Sequence, residues 1–308
     1  MVVAIGEVLF DIFPADKRIG GAPFNFAVHL ANMGFPVHFV TRVGKDANGR
    51  AILDLMKWFG LSRENVQIDP ECATGRVIVH PEADGGHRFD IVAPAAYDYL
   101  ACTDQVMDLM RTPPDMVYFG TLAQRSEQSR HAMKEMFQAA PPETRFFCDI
   151  NLRPGGYDRA IVDGALQQAG LLKLNDAELA VIGEMFDIQG DTETMVRRLM
   201  EARGLVLVAL TLGSRGGRLF TLDDQARVDL PSRSAGPPVV DTVGAGDAFT
   251  AVTAAGFLQN RHLSDILEAA TEFAGRICGI QGAVPDSPDF YRQGRLPEFF
   301  YKHTGDSR

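Results

Sequence analysis

Short apolar segments alternate with segments of helical periodicity along most of this chain of 308 residues. Apolar runs typical of buried strands occupy residues 2–5, 36–43, 116–119, 145–150, 171–174 and 205–211. Between them, apolar side chains recur at i, i+3, i+4 and i+7, as one face of a helix requires. The first such set is Ile52, Leu55, Met56 and Phe59. Ser126 and Asp191 are placed to cap two further helices. Strands and helices that alternate at this spacing predict an α/β fold with a mostly parallel sheet and helices on both faces.

One pair of segments departs from this alternation. Residues 74–80 and 87–92 are short strand-like runs that a polar turn at residues 81–86 joins. Arg88 and Asp90 alternate with Phe89 and Ile91, which is typical of a half-exposed strand in a hairpin. A hairpin inserted into a βα chain is a candidate lid over a ligand site, and a surface hairpin without such a role is the alternative.

The composition indicates one domain that does not bind nucleic acid. A 46% hydrophobic chain of this length can bury a large core, and no linker-like segment divides it, so we predict a single domain over residues 1–308. The formal net charge is −10, and no block rich in lysine and arginine is present. An anionic substrate must therefore be held by local donors or by a cation.

The cysteines and the apolar segments favour a cytoplasmic protein. The four cysteines are scattered, without a CxxC pair, and are predicted to be reduced thiols: Cys72, Cys102, Cys148 and Cys278. Glu7 and Asp11 interrupt the apolar start of the chain, which favours a first strand over a signal peptide. The longest uncharged apolar runs, at residues 205–212 and 248–258, are too short to span a bilayer.

A glycine-rich segment late in the chain has the features of an anion site. After Asp241, the residues Gly244, Ala245, Gly246 and Asp247 precede a run of small and apolar residues that predicts a helix to about residue 258. The two glycines allow close approach of a ligand to the backbone, and the first N–H groups of the helix are free for phosphate oxygens. The Asp247 carboxylate could take a proton from a hydroxyl that attacks a phosphoryl group, or could only cap the helix.

A second glycine segment lies near the start of the chain. Gly20 and Gly21 supply a turn, Pro23 presets the first turn of a helix, and Asn25 offers a donor and an acceptor beside it. Asp11 follows the first predicted strand, where ligands of parallel sheets collect. These side chains are candidate contacts for sugar hydroxyls. A solvated loop aspartate and a helix-capping asparagine are the alternatives.

Polar clusters follow two of the predicted strands, where a binding site is expected. The clusters consist of Asp149, Asn151 and Arg153 after one strand, and of Lys173, Asn175 and Glu178 after the next. Arg153 is a candidate for binding a transferring phosphoryl group, because a guanidinium can contact phosphate oxygens in pairs, while a surface salt bridge is its alternative. Asp149 and Asn151 are expected to hold the loop.

The residues 241–247, Asp-Thr-Val-Gly-Ala-Gly-Asp, resemble the C-terminal signature of the ribokinase-like (PfkB) family of carbohydrate kinases. The residues 20–25, Gly-Gly-Ala-Pro-Phe-Asn, resemble the N-terminal signature, in the form most similar to fructokinases. The resemblance covers nearly the whole chain. It implies a three-layer α/β sandwich with a small β-sheet lid, here about residues 11–19 and 74–95, that closes over a sugar and often forms a dimer contact. ATP and Mg²⁺, and in some relatives K⁺, are the implied cofactors.

The resemblance also implies roles for particular residues. Asp247 would be the catalytic base, with the N–H groups of Gly244, Ala245 and Gly246 and the charge of Arg153 stabilising the phosphates. The implied sugar contacts are Asp11, Gly20, Gly21, Asn25 and, from the lid, Arg88. The implied nucleotide contacts are Lys173, Asn175, Thr211, Gly213, Gly216 and Gly282. The implied metal contacts are Glu178, in an NxxE motif and through water, and Asp241. Gly275 stands where many relatives carry an asparagine, so the adenine contacts do not follow from the resemblance.

The favoured function is ATP-dependent phosphorylation of fructose to fructose 6-phosphate. A 2-keto-3-deoxygluconate, ribose or nucleoside kinase could use hydroxyl-binding groups of the same types. A non-catalytic sugar or nucleotide sensor is the alternative from another class, and the loss of the base would be its mark, whereas Asp247 is present. A dinucleotide-dependent oxidoreductase would need a GxGxxG segment after an early strand, which the chain lacks.

Overall fold

The computed structural model describes residues 1–81, 87–228 and 239–292. Most of the predicted hairpin turn, at residues 82–86, lies outside these ranges.

A large, mostly parallel sheet forms the centre of the molecule. Nine strands from the described ranges form it, in the order β13-β12-β11-β10-β9-β8-β1-β4-β5. Neighbouring strands from β11 to β5 pair in parallel, and β12 and β13 are added antiparallel at one end. The strands are β1 (Val2–Ile5), β4 (Val37–Gly44), β5 (Val66–Asp69), β8 (Met116–Gly120), β9 (Arg145–Asp149), β10 (Leu171–Asn175), β11 (Leu207–Thr211), β12 (Gly217–Phe220) and β13 (Gln225–Val228). The predicted α/β sheet is confirmed.

Helices cover both faces of this sheet, because successive side chains of a strand point to opposite faces. In β1, Val2 and Ala4 join the core beneath α1, α2, α8 and α9, and Val3 and Ile5 join the core beneath α3 to α7. The helices are α1 (Ala22–Asn32), α2 (Ala47–Trp58), α3 (Asp104–Arg111), α4 (Glu127–Ala139), α5 (Arg159–Gln168), α6 (Asp176–Phe186), α7 (Thr192–Arg203), α8 (Ala245–Leu258), α9 (Leu263–Cys278) and α10 (Asp289–Arg292). The result is a three-layer sandwich.

A smaller sheet contains the predicted hairpin and two further strands. Its order is β3-β2-β6-β7, with β2 (Leu9–Ile12), β3 (Lys17–Gly20), β6 (Gly75–Pro81) and β7 (His87–Ile91). Strands β6 and β7 are antiparallel, and β2 lies between β3 and β6. The segment immediately after β1 therefore contributes two strands to this sheet.

Some local predictions differ from the structure. Ser126 stands before α4, but its hydroxyl donates to the Asp98 carbonyl at 2.6 Å and makes no capping hydrogen bond. Asp191 does cap α7, accepting from the Thr194 N–H at 2.8 Å. The strand expected from residue 205 begins at Leu207.

Candidate active site

The two glycine segments meet at the start of two helices. Helix α1 begins after Gly21 and helix α8 begins after Gly244, and both glycines have positive φ, of 110° and 80°. The Asn25 side-chain amide donates to the Asp247 carboxylate with an Nδ2–Oδ2 distance of 2.7 Å. No side-chain capping hydrogen bond is made at Gly21 or at Gly244. The side chains of Asn25 and Asp247, which are 222 residues apart in the sequence, instead bind each other.

The segment 244–246, called the glycine loop here, has a backbone that is closely surrounded by other residues. A Cβ atom on Gly244 would lie 2.4 Å from the Ala283 Cα, and a Cβ on Gly246 would lie 3.1 Å from the Lys173 amine. Because the first N–H groups of a helix have no intrahelical acceptor, those at the start of α8 are placed to bind an anion. Lys173 brings a positive charge to the same helix start.

A buried ion pair supports this helix start from the neighbouring strands. The Lys173 amine lies 3.0 Å from the Asp149 carboxylate, and the two side chains are 8% and 0% exposed. Lys173 of β10 and Asp149 of β9 lie opposite each other on these neighbouring strands. Burial acts to lower the pKa of Lys173, but the carboxylates of Asp149, Glu178 and Asp247 raise it above its ordinary value. Lys173 therefore stays protonated and is paired with Asp149, a contact that the sequence analysis did not predict in addition to the expected role of Asp149 in holding the loop.

Burial raises the pKa of five carboxyl groups in this region, those of Glu7, Asp11, Asp149, Glu178 and Asp247. Burial raises the pKa of Asp247, against the opposing effects of the Asn25 hydrogen bond and the charges of Lys173 and Arg153. Burial also raises the pKa of Asp11 to about 6 and that of Glu7 to about 7. Raised carboxyl pKa values clustered with cations are typical of functional sites.

Glu7 was missed in the sequence analysis as a site residue. It lies two residues after the end of β1 and is 2% exposed, and the charges of Asp247, Arg153 and Asp149 affect its pKa. The signal that could have found it is the rule already applied to β9 and β10, since Glu7 is the first charged side chain after a buried strand.

Arg18 is a second residue that the sequence analysis missed. It lies in β3 directly opposite Asp11 of β2, and its guanidinium contacts the Asp241 carboxylate with an Nη1–Oδ2 distance of 2.8 Å. The β2–β3 turn thus connects Asp11 with the segment that precedes α8. Gly20 lies beside Asp11, because a Cβ on Gly20 would lie 2.8 Å from the Asp11 carboxylate.

Glu178 and Asn175 form a capping box at the start of α6. Asn175 accepts from the Glu178 N–H at 2.8 Å, and the Glu178 carboxylate accepts from the N–H groups of Asn175 at 2.8 Å and Leu152 at 3.0 Å. Glu178 is 7% exposed. Its carboxylate therefore joins the loop after β9 to the junction of β10 and α6.

Three of the predicted nucleotide contacts, Thr211, Gly213 and Gly216, lie at and after the end of β11. Thr211 ends β11 opposite Asn175 of β10. Gly213 and Gly216, with φ of 58° and 95°, form the turn after it, where the Leu212 N–H donates to the Gly216 carbonyl at 2.9 Å. Gly282 donates its N–H to Asp241 at 3.1 Å.

Two predicted arginines have exposed side chains. Arg153 is exposed in the loop after β9, but its charge lowers the pKa of Asp11 and Asp247. Arg88 lies on β7, 56% exposed, and forms an ion pair with Asp90 at 2.5 Å. The described contacts therefore associate Arg153 with the site carboxylates and associate Arg88 with its own strand.

The described ranges contain neither a group of three or more His, Cys, Asp and Glu side chains able to hold a metal ion nor a helix long and apolar enough to cross a bilayer.

The mostly parallel sheet, the small second sheet and the glycine-lined helix start beside an aspartate define the ribokinase-like class of kinases. The chain belongs to the pfkB family of carbohydrate kinases, because the model of that family matches residues 6–289. The resemblance inferred from the two glycine motifs is confirmed, and with it the class of ATP-dependent carbohydrate kinases.

Relatives in several organisms match over most of their length. Fructokinase-2 of Oryza sativa subsp. japonica is 28% identical over 316 residues, covering 94% of this chain and 91% of the relative. The putative sugar kinase PH1459 of Pyrococcus horikoshii is 25% identical over 297 residues, covering 91% and 89%.

Solved structures show the same fold. Fructokinase with bound ATP from Xylella fastidiosa superposes with a TM-score of 0.79 at 21% identity, covering 97% of this chain and 96% of that one. A fructokinase double mutant from Vibrio cholerae O395, solved with fructose, ADP and potassium ion, has a TM-score of 0.71 at 21% identity, covering 92% and 93%.

Proposed function

We propose that the protein transfers the γ-phosphoryl group of ATP to a primary hydroxyl of a sugar, and that fructose is this sugar, giving fructose 6-phosphate. The contact between Asn25 and Asp247 carries the proposal, because it joins the segment expected to bind sugar to the segment expected to bind phosphate. The fructokinases among the relatives support the choice of fructose.

Asp247 acts as the base in this proposal. The sugar oxygen bonds to the γ-phosphorus, the bond from phosphorus to the ADP oxygen breaks, and the hydroxyl proton passes to the Asp247 carboxylate. Burial raises the pKa of Asp247, which makes it a stronger base than an exposed aspartate. Asn25 donates to Oδ2, so the second carboxylate oxygen is available for the sugar hydroxyl.

The surrounding groups stabilise charge and orient the substrates. The N–H groups of Gly244, Ala245 and Gly246 and the charge of Lys173 face the phosphates in this proposal, with Arg153 supplying a further charge. Sugar hydroxyls are bound by Asp11 and by the backbone beside it, and the adenosine lies against the turn after β11. Arg88 of the small sheet supplies a further sugar contact in this proposal.

Magnesium enters this proposal with ATP. The ion supplies positive charge to the phosphate oxygens and commonly keeps several waters, so it needs few protein ligands. The Glu178 carboxylate already accepts two backbone N–H groups and retains lone pairs for a water, which fits a contact through water. Direct coordination by a protein cage is not part of the proposal.

The substitution Asp247→Asn tests the base directly. It keeps the size of the side chain and an oxygen for Asn25, but removes the proton acceptor. We expect kcat with fructose to fall about 10²- to 10⁴-fold, while fructose affinity, measured calorimetrically, stays near that of the wild type. Asp54→Asn, at an exposed position of α2, is the matched control and should retain wild-type turnover. Wild-type turnover of Asp247→Asn would remove Asp247 from the role of base.

A panel of acceptors separates the remaining alternatives. Release of ADP is measured with fructose, ribose, 2-keto-3-deoxygluconate and nucleosides. Turnover only with ribose or a nucleoside would overturn the assignment of fructose but not of a kinase. Binding of sugar and ATP without turnover on any acceptor would instead identify a sensor.

A homodimer through the small sheet and a cytoplasmic location remain predictions of the sequence. Sedimentation of the purified chain, with and without sugar, tests the first of them.

A further inference from the structure

Arg18 forms a contact between the small sheet and the loop that precedes α8. Its guanidinium binds Asp16 within the β2–β3 turn through Nε at 2.9 Å, and reaches Asp241 through Nη1 at 2.8 Å. It also lies over the Phe13 ring, 4.4 Å from the ring centroid. The Arg18 and Asp241 side chains are only 23% and 16% exposed, so this pair is shielded from water more than a surface salt bridge is.

Asp241 connects three segments of the chain. Its Oδ2 accepts from Arg18 and from the Gly282 N–H at 3.1 Å, and its Oδ1 accepts from the Val243 N–H at 3.0 Å. The residue after Gly282 is Ala283, which lies directly against Gly244. A change in the contacts of Asp241 therefore acts on the backbone that surrounds the glycine loop.

A monovalent cation is the other group expected at this carboxylate. A structurally similar fructokinase was solved with a potassium ion, and Asp241 is the predicted ligand in this chain. The three N–H donors and the fixed guanidinium charge do not fit that prediction, because a second cation at the same carboxylate would be repelled by Arg18. The donor set of Asp241 is thus that of an ion pair.

We propose that Arg18 is a positioning residue for phosphoryl transfer, whose guanidinium stands in place of a monovalent cation at Asp241 and ties β3 to the glycine loop. This inference rests on the proposed kinase function. It predicts an enzyme whose activity depends on Arg18 and does not depend on K⁺. Because Arg18 is paired with Asp11 across β2 and β3, the same residue couples the sugar side of the site to the phosphate side.

The test compares the wild type, Arg18→Ala and Arg18→Lys in KCl and in choline chloride at equal ionic strength. We expect wild-type kcat/KM for ATP to be the same in both salts. Arg18→Ala should lose about 10- to 100-fold in choline chloride, since a charge-assisted hydrogen bond is lost, and KCl should restore part of the activity. Arg18→Lys should retain more activity than Arg18→Ala. Arg50→Ala, at an exposed position of α2, is the control and should behave as the wild type.

Thermal unfolding in the two salts gives a readout independent of turnover. KCl should raise the midpoint of Arg18→Ala above its value in choline chloride and leave the wild-type midpoint unchanged. Equal stimulation of wild type and Arg18→Ala by KCl, or unchanged kinetics of Arg18→Ala, would overturn the inference.

Failure of the proposed function can be told apart from failure of this inference. It appears as a wild type that phosphorylates no sugar, whereas the salt dependence of unfolding still tests Arg18. If Arg18→Ala does not fold, a wild type stabilised or activated by K⁺ overturns the proposal, and a K⁺-independent wild type with an impaired Arg18→Lys supports it.

Discussion

Glu7 shows how one buried side chain can make stability depend on pH. Glu7 lies two residues after the end of β1, and its Oε2 has no hydrogen-bond partner among the described residues. Burial, assisted by the negative charges of Asp247 and Asp149, raises its pKa from an ordinary 4.5 to about 7. The folded state therefore binds the Glu7 proton more tightly than the unfolded state does.

The sign of the resulting effect follows from linkage. A carboxyl whose pKa is raised on folding stabilises the protein fully below its unfolded pKa, near 4.5, and this contribution is lost as the pH rises through about 7. Between about pH 5 and about pH 8, the titration of Glu7 should lower the unfolding free energy of the wild type by about 2 to 3 kcal/mol. We expect Glu7→Gln to lack this part of the pH dependence. Urea denaturation at both pH values measures it, with the exposed Glu64→Gln as control. An equal pH dependence in wild type and Glu7→Gln would show that Glu7 is not protonated in the folded state.

The sequence identified the residues that lie in glycine motifs and missed those that act through distant partners. Asp247 and Asn25 were found because each follows a glycine segment with a recognisable spacing. Arg18 gave no such signal, since its partner Asp241 lies 223 residues away and the contact requires β3 to pair with β2. Glu7 did give a signal, as the first charged side chain after a predicted buried strand, but its own burial and its raised pKa are seen only in the structure.

At the level of elements, the start of α8 depends on a backbone conformation that favours glycine. Gly244 has a φ of 80°, and any Cβ there would meet the backbone of Ala283 at 2.4 Å. The same close packing holds the N–H groups at the start of α8 where the proposed phosphate site needs them. Helix α5 offers a contrast, because a Cβ on Gly164 would meet no atom of the described residues within 4 Å.

We expect Gly244→Ala to impair both stability and ATP binding. The left-handed backbone and the contact with Ala283 should together lower the unfolding free energy by about 1 to 3 kcal/mol. The KM for ATP should rise by about tenfold or more, because displaced N–H groups lose charge-assisted hydrogen bonds. Gly164→Ala, the control, should leave KM unchanged and stabilise α5 by up to about 1 kcal/mol. A Gly244→Ala enzyme with the wild-type KM for ATP would argue against a phosphate site at this loop.

The strands of the large sheet were predictable and those of the small sheet only in part. Strands buried on both faces are continuous apolar runs, as in β1 and β8. Strands β2 and β3 have four residues each, and the charged Asp11, Lys17 and Arg18 interrupt their apolar pattern. The pairing of β2 with β6, which begins at Gly75, is a long-range contact that local patterns do not encode.

At the scale of the whole molecule, the first and last parts of the described chain share one core. His29 of α1 is fully buried, donates from Nε2 to the Ala283 carbonyl at 3.1 Å, and accepts at Nδ1 from the Tyr291 hydroxyl at 2.9 Å. Burial lowers the pKa of His29 to about 3, so the ring is neutral, as this donor and acceptor pattern requires. The Trp58 indole at the end of α2 donates to the Asp286 carbonyl at 3.2 Å. These contacts support the prediction of a single domain.

This shared core predicts cooperative unfolding, which the single tryptophan of the chain makes measurable. Trp58 fluorescence reports the packing of α2 against the segment around Asp286, and far-UV circular dichroism reports all helices. We expect the two signals to give the same urea midpoint, as for one cooperative unit. Tyr291→Phe leaves His29 Nδ1 without its donor and should lower the unfolding free energy by about 1 to 3 kcal/mol in both signals. If Trp58 fluorescence changed at a lower urea concentration than the circular dichroism, or if Tyr291→Phe shifted only the fluorescence, the C-terminal segment would unfold separately and the single-domain prediction would be wrong.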